Sequence, residues 1–250
     1  GFSGDGGPAA KAHLNNVSHI TGDGKGTIFF IDFDDVSGTA RVRKITPDGF
    51  IFTVAGSAPP GFSGDGGPAT QAQFNLIFAD RGSLARDPQG NLYIVDRGNN
   101  RIRKIDGITG IISTFYGPTT EPREALSAVA TDAAGNIYIG TENFGILKAS
   151  PNGQILGNYG NGKYPGFSED GASIATAFIT DLAGLAIDPA GNIVYAEKYI
   201  NRVRRLNLRT GQLETLAGMG PNIIGENGPA IATVLNCSQG DLVFLPSGEL

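Results

Sequence analysis

Short apolar runs separated by turn residues dominate this chain. The runs IFFID at Ile28, LYIVD at Leu92, IYIGT at Ile137 and IVYAE at Ile193 are rich in β-branched and aromatic side chains, as buried strands are. Each follows a turn of one kind, DGKGT at Asp23, DPQGN at Asp87, DAAGN at Asp132 and DPAGN at Asp188, with LPSGE at Leu245 as a further copy. The glycine of each can take the left-handed conformation after a type I turn, so each predicts a tight hairpin. Alternating segments come next: RVRKI at Arg41, RIRKI at Arg101, GILKA at Gly145 and RVRRL at Arg202. They end in second turns, TPDG at Thr46, DGITG at Asp106, SPNG at Ser150 and LRTG at Leu208. A fourth strand then closes the unit, as FIFTVAG from Phe50, IISTFYG from Ile111, QILGNYG from Gln154 and QLETLAG from Gln212.

A longer word repeats ahead of these units. GFSGDGGPA at Gly1–Ala9 recurs unchanged at Gly61–Ala69, with degraded copies GFSEDGASIA at Gly166–Ala175 and GENGPAIA at Gly225–Ala232. Measured at the equivalent positions Gly4, Gly64, Glu169 and Gly225, the copies are spaced 60, 105 and 56 residues apart, so the middle interval holds two units, one of which has lost its leader. Four short antiparallel strands repeated every ~45–60 residues predict β-propeller blades. The fold class is therefore all-β, with four complete four-stranded blades at about 16–56, 80–117, 125–160 and 181–218 and a partial fifth at 238–250.

The totals agree with that reading. Forty per cent hydrophobic residues, 38 glycines and 14 prolines are too apolar for disorder and too turn-rich for a helical protein. A formal net charge of -5 offers no attraction to phosphate backbones, which argues against nucleic acid as a partner. No apolar run approaches the ~20 residues of a membrane-spanning helix. The single cysteine, Cys237, has no basic neighbour to activate it and reads as a small buried hydrophobe.

Together, GFSGDGGPA, the turn and strand D-P-x-G-N-L-Y-I-x-D, N-R-I-R-K-I and T-x-x-G resemble the NHL repeat, in the long-leader form of bacterial propellers related to that of teneurins. The resemblance covers nearly the whole chain and implies a six-bladed ring. Since the sequence stops at Leu250, just after a hairpin turn, the rest of blade five and a sixth blade are expected in a longer parent protein. The resemblance is specific for fold, and leaves function to the sites that the fold carries.

Three sets of polar residues are candidates. The acid ending each second strand and the arginine opening the third suggest structural ion pairs, Asp32 with Arg41, Asp96 with Arg101 and Glu197 with Arg202. In the remaining blade Thr141 and Gly145 replace both partners, as a pair predicts, because removing one member leaves an uncompensated charge. Asn100 and Asn201 would cap the same turns. In the leaders, Asp5 and Asp65 are expected to organise a turn, and Pro8 and Pro68 to start a short helix, Pro68–Phe74 in the second copy. A P-loop is excluded, since the leader lacks the lysine and hydroxyl that a P-loop needs. One carboxylate per leader is also too few to hold calcium by itself.

The third set lies at the starts of the inner strands, where Asn16, Asp80, Ala125, Asp181 and Ser238 align, with His19 nearby. In a propeller these starts converge on the central channel. Asn16, Asp80 and Asp181 could there hold calcium or another divalent cation, as in the propeller lactonases this architecture resembles. Otherwise they line a solvated mouth, and no cofactor is required. The two histidines, His13 and His19, are too few for the multi-histidine zinc site of the NHL-like amidating lyase. No G-x-S-x-G nucleophile motif occurs.

The expected function is a non-catalytic binding scaffold, extracytoplasmic and bacterial. Its leaders and its loops between second and third strands (Phe33–Thr39, Arg97–Asn100, Glu142–Phe144 and Lys198–Asn201) would meet a protein or glycan partner. The alternative is a metal-dependent hydrolase or lyase working at the channel mouth.

Overall fold

The computed structural model describes residues 2–76, 83–118, 125–141, 145–161, 167–179, 182–198, 200–218, 230–232, 235, 242, 244 and 250. They include four antiparallel four-stranded sheets, each a meander in chain order. The first holds β1 (Asn16–Gly22), β2 (Ile28–Asp34), β3 (Thr39–Ile45) and β4 (Ile51–Ala55), the second β5 (Leu84–Arg86), β6 (Leu92–Asp96), β7 (Arg101–Ile105) and β8 (Ile112–Tyr116). The third holds β9 (Leu126–Thr131), β10 (Ile137–Thr141), β11 (Ile146–Ala149) and β12 (Ile155–Tyr159), and the fourth β13 (Leu182–Ile187), β14 (Ile193–Glu197), β15 (Arg202–Asn207) and β16 (Gln212–Ala217). These are propeller blades, and the chain divides into two compact units, residues 1–120 with blades one and two and residues 121–250 with blades three and four.

Both faces of the second strands are covered. Every residue of β6, β10 and β14 is buried, which explains why these strands read as unbroken apolar runs rather than alternating ones. In the first unit Ile31, Val42 and Ala55 of blade one join Leu84, Ile94 and Ile112 of blade two in one core. In the second, Tyr138 and Ile146 join Leu185, Tyr195 and Leu213. Leu242 and Phe244, alternate residues of the run expected to form a fifth inner strand, pack against Val194, Ala196, Val203 and Ala217 of blade four. The rest of that run lies outside the described residues.

The hairpin turns follow the sequence expectation, and their side chains explain the recurring D-x-x-G-N. Gly90 has φ +94°, a conformation that costs glycine nothing. Asp87 accepts hydrogen bonds from the backbone and the side chain of Asn91, each at 2.8 Å, and from the Tyr93 hydroxyl at 3.1 Å. Asn91 Oδ1 in turn accepts the N–H of Gly107 in the blade's other turn at 3.0 Å. Asp132 and Asn136 repeat the arrangement, as do Asp188 and Asn192, whose Oδ1 accepts from Leu208. Burial first, and then the adjacent Asp87 and Asp132 carboxylates, push the Tyr93 and Tyr138 phenols far up.

The leaders hold less helix than expected. Each intact copy makes one three-residue 3-10 turn, Ala9–Lys11 and Ala69–Gln71, in place of a helix over Pro68–Phe74. A further 3-10 turn, Arg97–Asn99, lies outside the leaders, between β6 and β7. The glycines that follow the opening G-F-S let the chain double back. A Cβ on Gly4 or Gly64 would lie 2.7 Å from the Cα of Ala12 or Ala72.

What the leader does is edge its own blade. Gly6 N–H donates to Ile51 O at 2.8 Å and Ile51 N–H donates to Gly7 O at 3.1 Å, so one residue at the start of β4 is clasped through both backbone groups. Gly66 and Gly67 clasp Ile112 of β8 in the same way, and Gly171 and Ala172 clasp Leu213 of β16. The far end of an outer strand meets the following leader, Gly56 N–H donating to Ala69 O and Gly160 N–H to Ile174 O. A strand edge left open is a template for unwanted pairing, and these contacts close it.

Candidate functional site

Each acid of the expected ion pairs meets an arginine other than the one expected. Asp32 stands directly opposite Arg41, Asp96 opposite Arg101 and Glu197 opposite Arg202 in the strand register. The guanidinium that reaches the acid belongs to the next residue on the same face, two positions on: Arg43 to Asp32 at 3.3 Å, Arg103 to Asp96 at 3.4 Å and Arg204 to Glu197 at 3.4 Å. Burial decides between the two. Arg43, Arg103 and Arg204 are at most 1% exposed and the acids are buried with them, and a buried carboxylate needs a partner equally removed from water.

These inner arginines also hold the leaders. Arg43 Nη2 donates to Asp5 Oδ1 at 2.7 Å and to Ser3 O at 3.0 Å, and Nη1 donates to His13 O at 3.2 Å. Arg103 does the same with Asp65, Ser63 O and Gln73 O, and Arg204 with Asp170 and Ser168 O. Asp5 and Asp65 are thus ligands of an arginine rather than organisers of a local turn. Thr114 Oγ1 donates to Asp65 at 2.6 Å and Thr215 Oγ1 to Asp170 at 2.7 Å.

The outer arginines serve the leader's phenylalanine. Arg41 lies over the Phe2 ring at 4.3 Å, Arg101 over Phe62 at 3.9 Å and Arg202 over Phe167 at 4.8 Å, each a cation–π stack. R-x-R therefore reads F-x-x-D, the first arginine taking the aromatic ring and the second the carboxylate. Blade three lacks the acid, both arginines and the leader. That joint loss was visible in the sequence, and assigning Arg43, Arg103 and Arg204 needed the leader to be counted as a third member of the pair.

The same contacts gather leader and loop on one surface. Asn99 Nδ2 donates to Gly61 O and to Asp96, each at 2.9 Å, and Gly98 N–H donates to Asn75 O at 2.7 Å. Asp96 Oδ1 accepts Asn75 N–H at 2.9 Å, and burial pushes this carboxyl up against the pull of Asn99, Asn75 and Arg103. Asn100 and Asn201 adopt left-handed φ of +50° and +52°, closing the turns they were expected to cap. In blade one Asp34 Oδ1 accepts from Val36 and Ser37, which holds the Asp34 carboxyl low and leaves the Val36 side chain 98% exposed. An open cleft of about 350 Å³ beside this blade is lined by Asp5, Arg41, Thr53, Ser57 and Thr70.

Of the channel residues, Asn16 opens β1 and donates through Nδ2 to exposed Asp35 at 3.4 Å. His19 sits at a bulge of β1 with φ +49°. Asp80, Asp181 and Ser238 lie outside the described residues, as do Glu142–Phe144 of the third loop. Among the described residues no three His, Cys, Asp or Glu side chains cluster as metal ligands, and no helix is long and apolar enough to cross a membrane.

No family model matches the chain. Human teneurin-1 is 33% identical over 108 residues, 39% of this chain and 4% of teneurin-1, and mouse teneurin-1 aligns to the same extent. The chain thus spans a small part of the curated relatives it matches. Among solved structures, a protein of unknown function from Bacteroides thetaiotaomicron aligns over 94% of this chain and 66% of its own, with TM-score 0.54 and 18% identity. A catalytically inactive virginiamycin B lyase from Staphylococcus aureus with quinupristin aligns over 84% and 60%, with TM-score 0.52 and 18% identity. An auxiliary nutrient binding protein from B. thetaiotaomicron aligns over 88% and 62%, with TM-score 0.50 and 14% identity. At these identities the likeness is one of fold, and the fold is that of a β-propeller.

Proposed function

We propose that this chain is an NHL-type propeller module that binds a protein or glycan partner through the face carrying its leaders and its loops between second and third strands, and that it works without catalysis. One observation carries the reading: the buried Arg43, Arg103 and Arg204 pin each leader to its blade, so the loops stand on a preorganised surface and need little ordering when a ligand arrives. The open cleft beside blade one, with Asp5, Thr53, Ser57 and Thr70 in its lining, offers hydrogen-bonding groups to the hydroxyls of a glycan or the backbone of a peptide. The partial identity to teneurin-1 supports the NHL type, and we place the module outside the cytoplasm.

The test is a printed glycan array and a set of purified extracellular protein domains, probed with the chain and with a variant carrying Asp35→Gly, Val36→Gly, Arg97→Gly and Lys198→Gly. A ligand bound by the chain and lost in the variant, with the unfolding midpoint unchanged, supports the reading. Calcium- or zinc-dependent turnover of a sugar lactone, abolished by Asp80→Ala, overturns it in favour of the hydrolase.

A further inference from the structure

Blade three has an outer edge that the other blades do not have. Ile155 stands opposite Ala149 in the register where Ile51 faces Ile45, Ile112 faces Ile105 and Leu213 faces Leu206. Those three equivalents are clasped by leaders and fully buried, whereas Ile155 is 44% exposed and the adjoining Leu156 52% exposed. No described residue hydrogen-bonds to the outer side of β12 at its start. Its far end is covered in the usual way, with Gly160 and Asn161 donating to Ile174 O and Ala177 O.

The connection that precedes blade three is too short to hold a full leader and its return. Residues 56–83 join β4 to β5 and residues 160–181 join β12 to β13, whereas only residues 117–125 join β8 to β9. A leader must lie along the outer edge and then return across four strands, about 19 Å at the usual spacing. Nine residues form a leader with none left for the return. The reading side chains have changed in step. Leu147, half-buried, stands where Arg43, Arg103 and Arg204 bind the leader's aspartate, and Gly145 stands where an arginine stacks on its phenylalanine.

We propose that the start of β12 is a docking site for an extended segment of a partner protein, which adds to blade three as the leaders add to the others. The clasp uses the N–H and C=O of Ile155. The incoming segment carries small residues at the clasp and an aliphatic side chain against Leu147, where a leader would bring aspartate. This is strand addition to a sheet edge, with affinity from the main chain and selectivity from the adjoining side chains. It lies on the outer edge and does not depend on the loop face.

The probe is a synthetic peptide of residues 61–72 with Phe62→Val and Asp65→Leu, blocked at both ends and titrated into the chain by calorimetry. We expect saturable binding at about 10–500 μM, and protection of the Ile155 amide from exchange only when peptide is present. The unaltered 61–72 peptide should bind at least ~10-fold more weakly, because its aspartate loses water against Leu147 without gaining a partner. Ile155→Pro removes the outward donor at an edge position where proline is tolerated, and should weaken binding by a similar factor with the unfolding midpoint held. Leu147→Arg with Thr141→Asp, leaving Gly145 in place, should reverse the preference toward the unaltered peptide. No saturation at millimolar peptide, binding untouched by Ile155→Pro, or an Ile155 amide already protected in the free chain by its own residues or by a second copy would overturn the proposal.

Discussion

Arg103 and Asp65 lie 38 residues apart in the sequence and 2.7 Å apart in the fold. The contact ties the leader of blade two to its third strand, and Arg43 with Asp5 and Arg204 with Asp170 repeat it. In each case one guanidinium joins a buried acid of the second strand to a half-exposed acid of the leader. The arginine is thus a three-way joint between strand, leader and neighbouring backbone carbonyls.

The two arginines of one R-x-R should therefore differ in their worth. Arg103→Met leaves Asp96 buried without its cation and should cost about 3–5 kcal/mol of stability. Arg101→Ala removes a stack at the surface and should cost about 0.5–1 kcal/mol. Urea unfolding of the two variants measures the difference, and equal losses would count against the assignment of Arg103 as the joint.

Asp65→Ala tests the leader end of the joint. Its carboxylate is 40% exposed, so solvent screening keeps the global loss to about 1 kcal/mol or less. The local effect should be larger. Exchange of the Gly66 and Ile112 amides, which form the clasp, should accelerate well beyond that of the β6 amides. Uniform acceleration would mean that the leader does not open separately.

Acid should release the leader of blade one only below the usual carboxylate range. Burial raises the Asp5 carboxyl, but hydrogen bonding and the Arg43 charge outweigh it and hold the group below its usual range. A carboxyl depressed in the folded state stabilises above its unfolded pKa of about 3.9 and loses that contribution as pH falls through the lower folded value. Asp132 is also held low, burial being outweighed by Asn136, Tyr138 and Lys148. Stability should be flat with respect to these groups above about pH 5 and fall below pH 4. Asp5→Asn should flatten part of that fall, as followed by chemical unfolding at stepped pH.

Titration with calcium or zinc separates scaffold from enzyme at the channel mouth. Asn16 already engages Asp35. A hard cation needs several oxygen ligands at about 2.0–2.6 Å, and we expect no binding tighter than about 1 mM. Micromolar affinity abolished by Asp80→Ala or Asp181→Ala would establish the metal site and favour the hydrolase reading.

Gly145→Ala should fail where most loop changes succeed. Its φ is +78° and a Cβ would meet Tyr159 O at 2.1 Å, so the β11–β12 pairing must shift to admit it. A loss above about 2 kcal/mol is expected. An unchanged melting temperature would show that this edge is looser than its geometry.

The sequence by itself determined the blades, because what makes a blade is local. Alternation and apolar runs set the strands, and a glycine at the fourth place of D-x-x-G-N sets each hairpin. Self-similarity of the chain then sets the number of copies. It also named Asp32, Asp96 and Glu197 as the acids of structural pairs. Only the tertiary structure decided which arginine they meet, since Arg41 and Arg43 share a strand face and are equal in sequence. Burial separates them: the guanidinium shut away from water goes to the acids, and the half-exposed one covers an aromatic ring. The leader's place was equally hidden. Its clasp on the outer strand joins groups about 45 residues apart, and backbone N–H and C=O groups leave no mark in the residue pattern. For the same reason, the open edge at Ile155 could be seen only after three closed ones had been placed beside it.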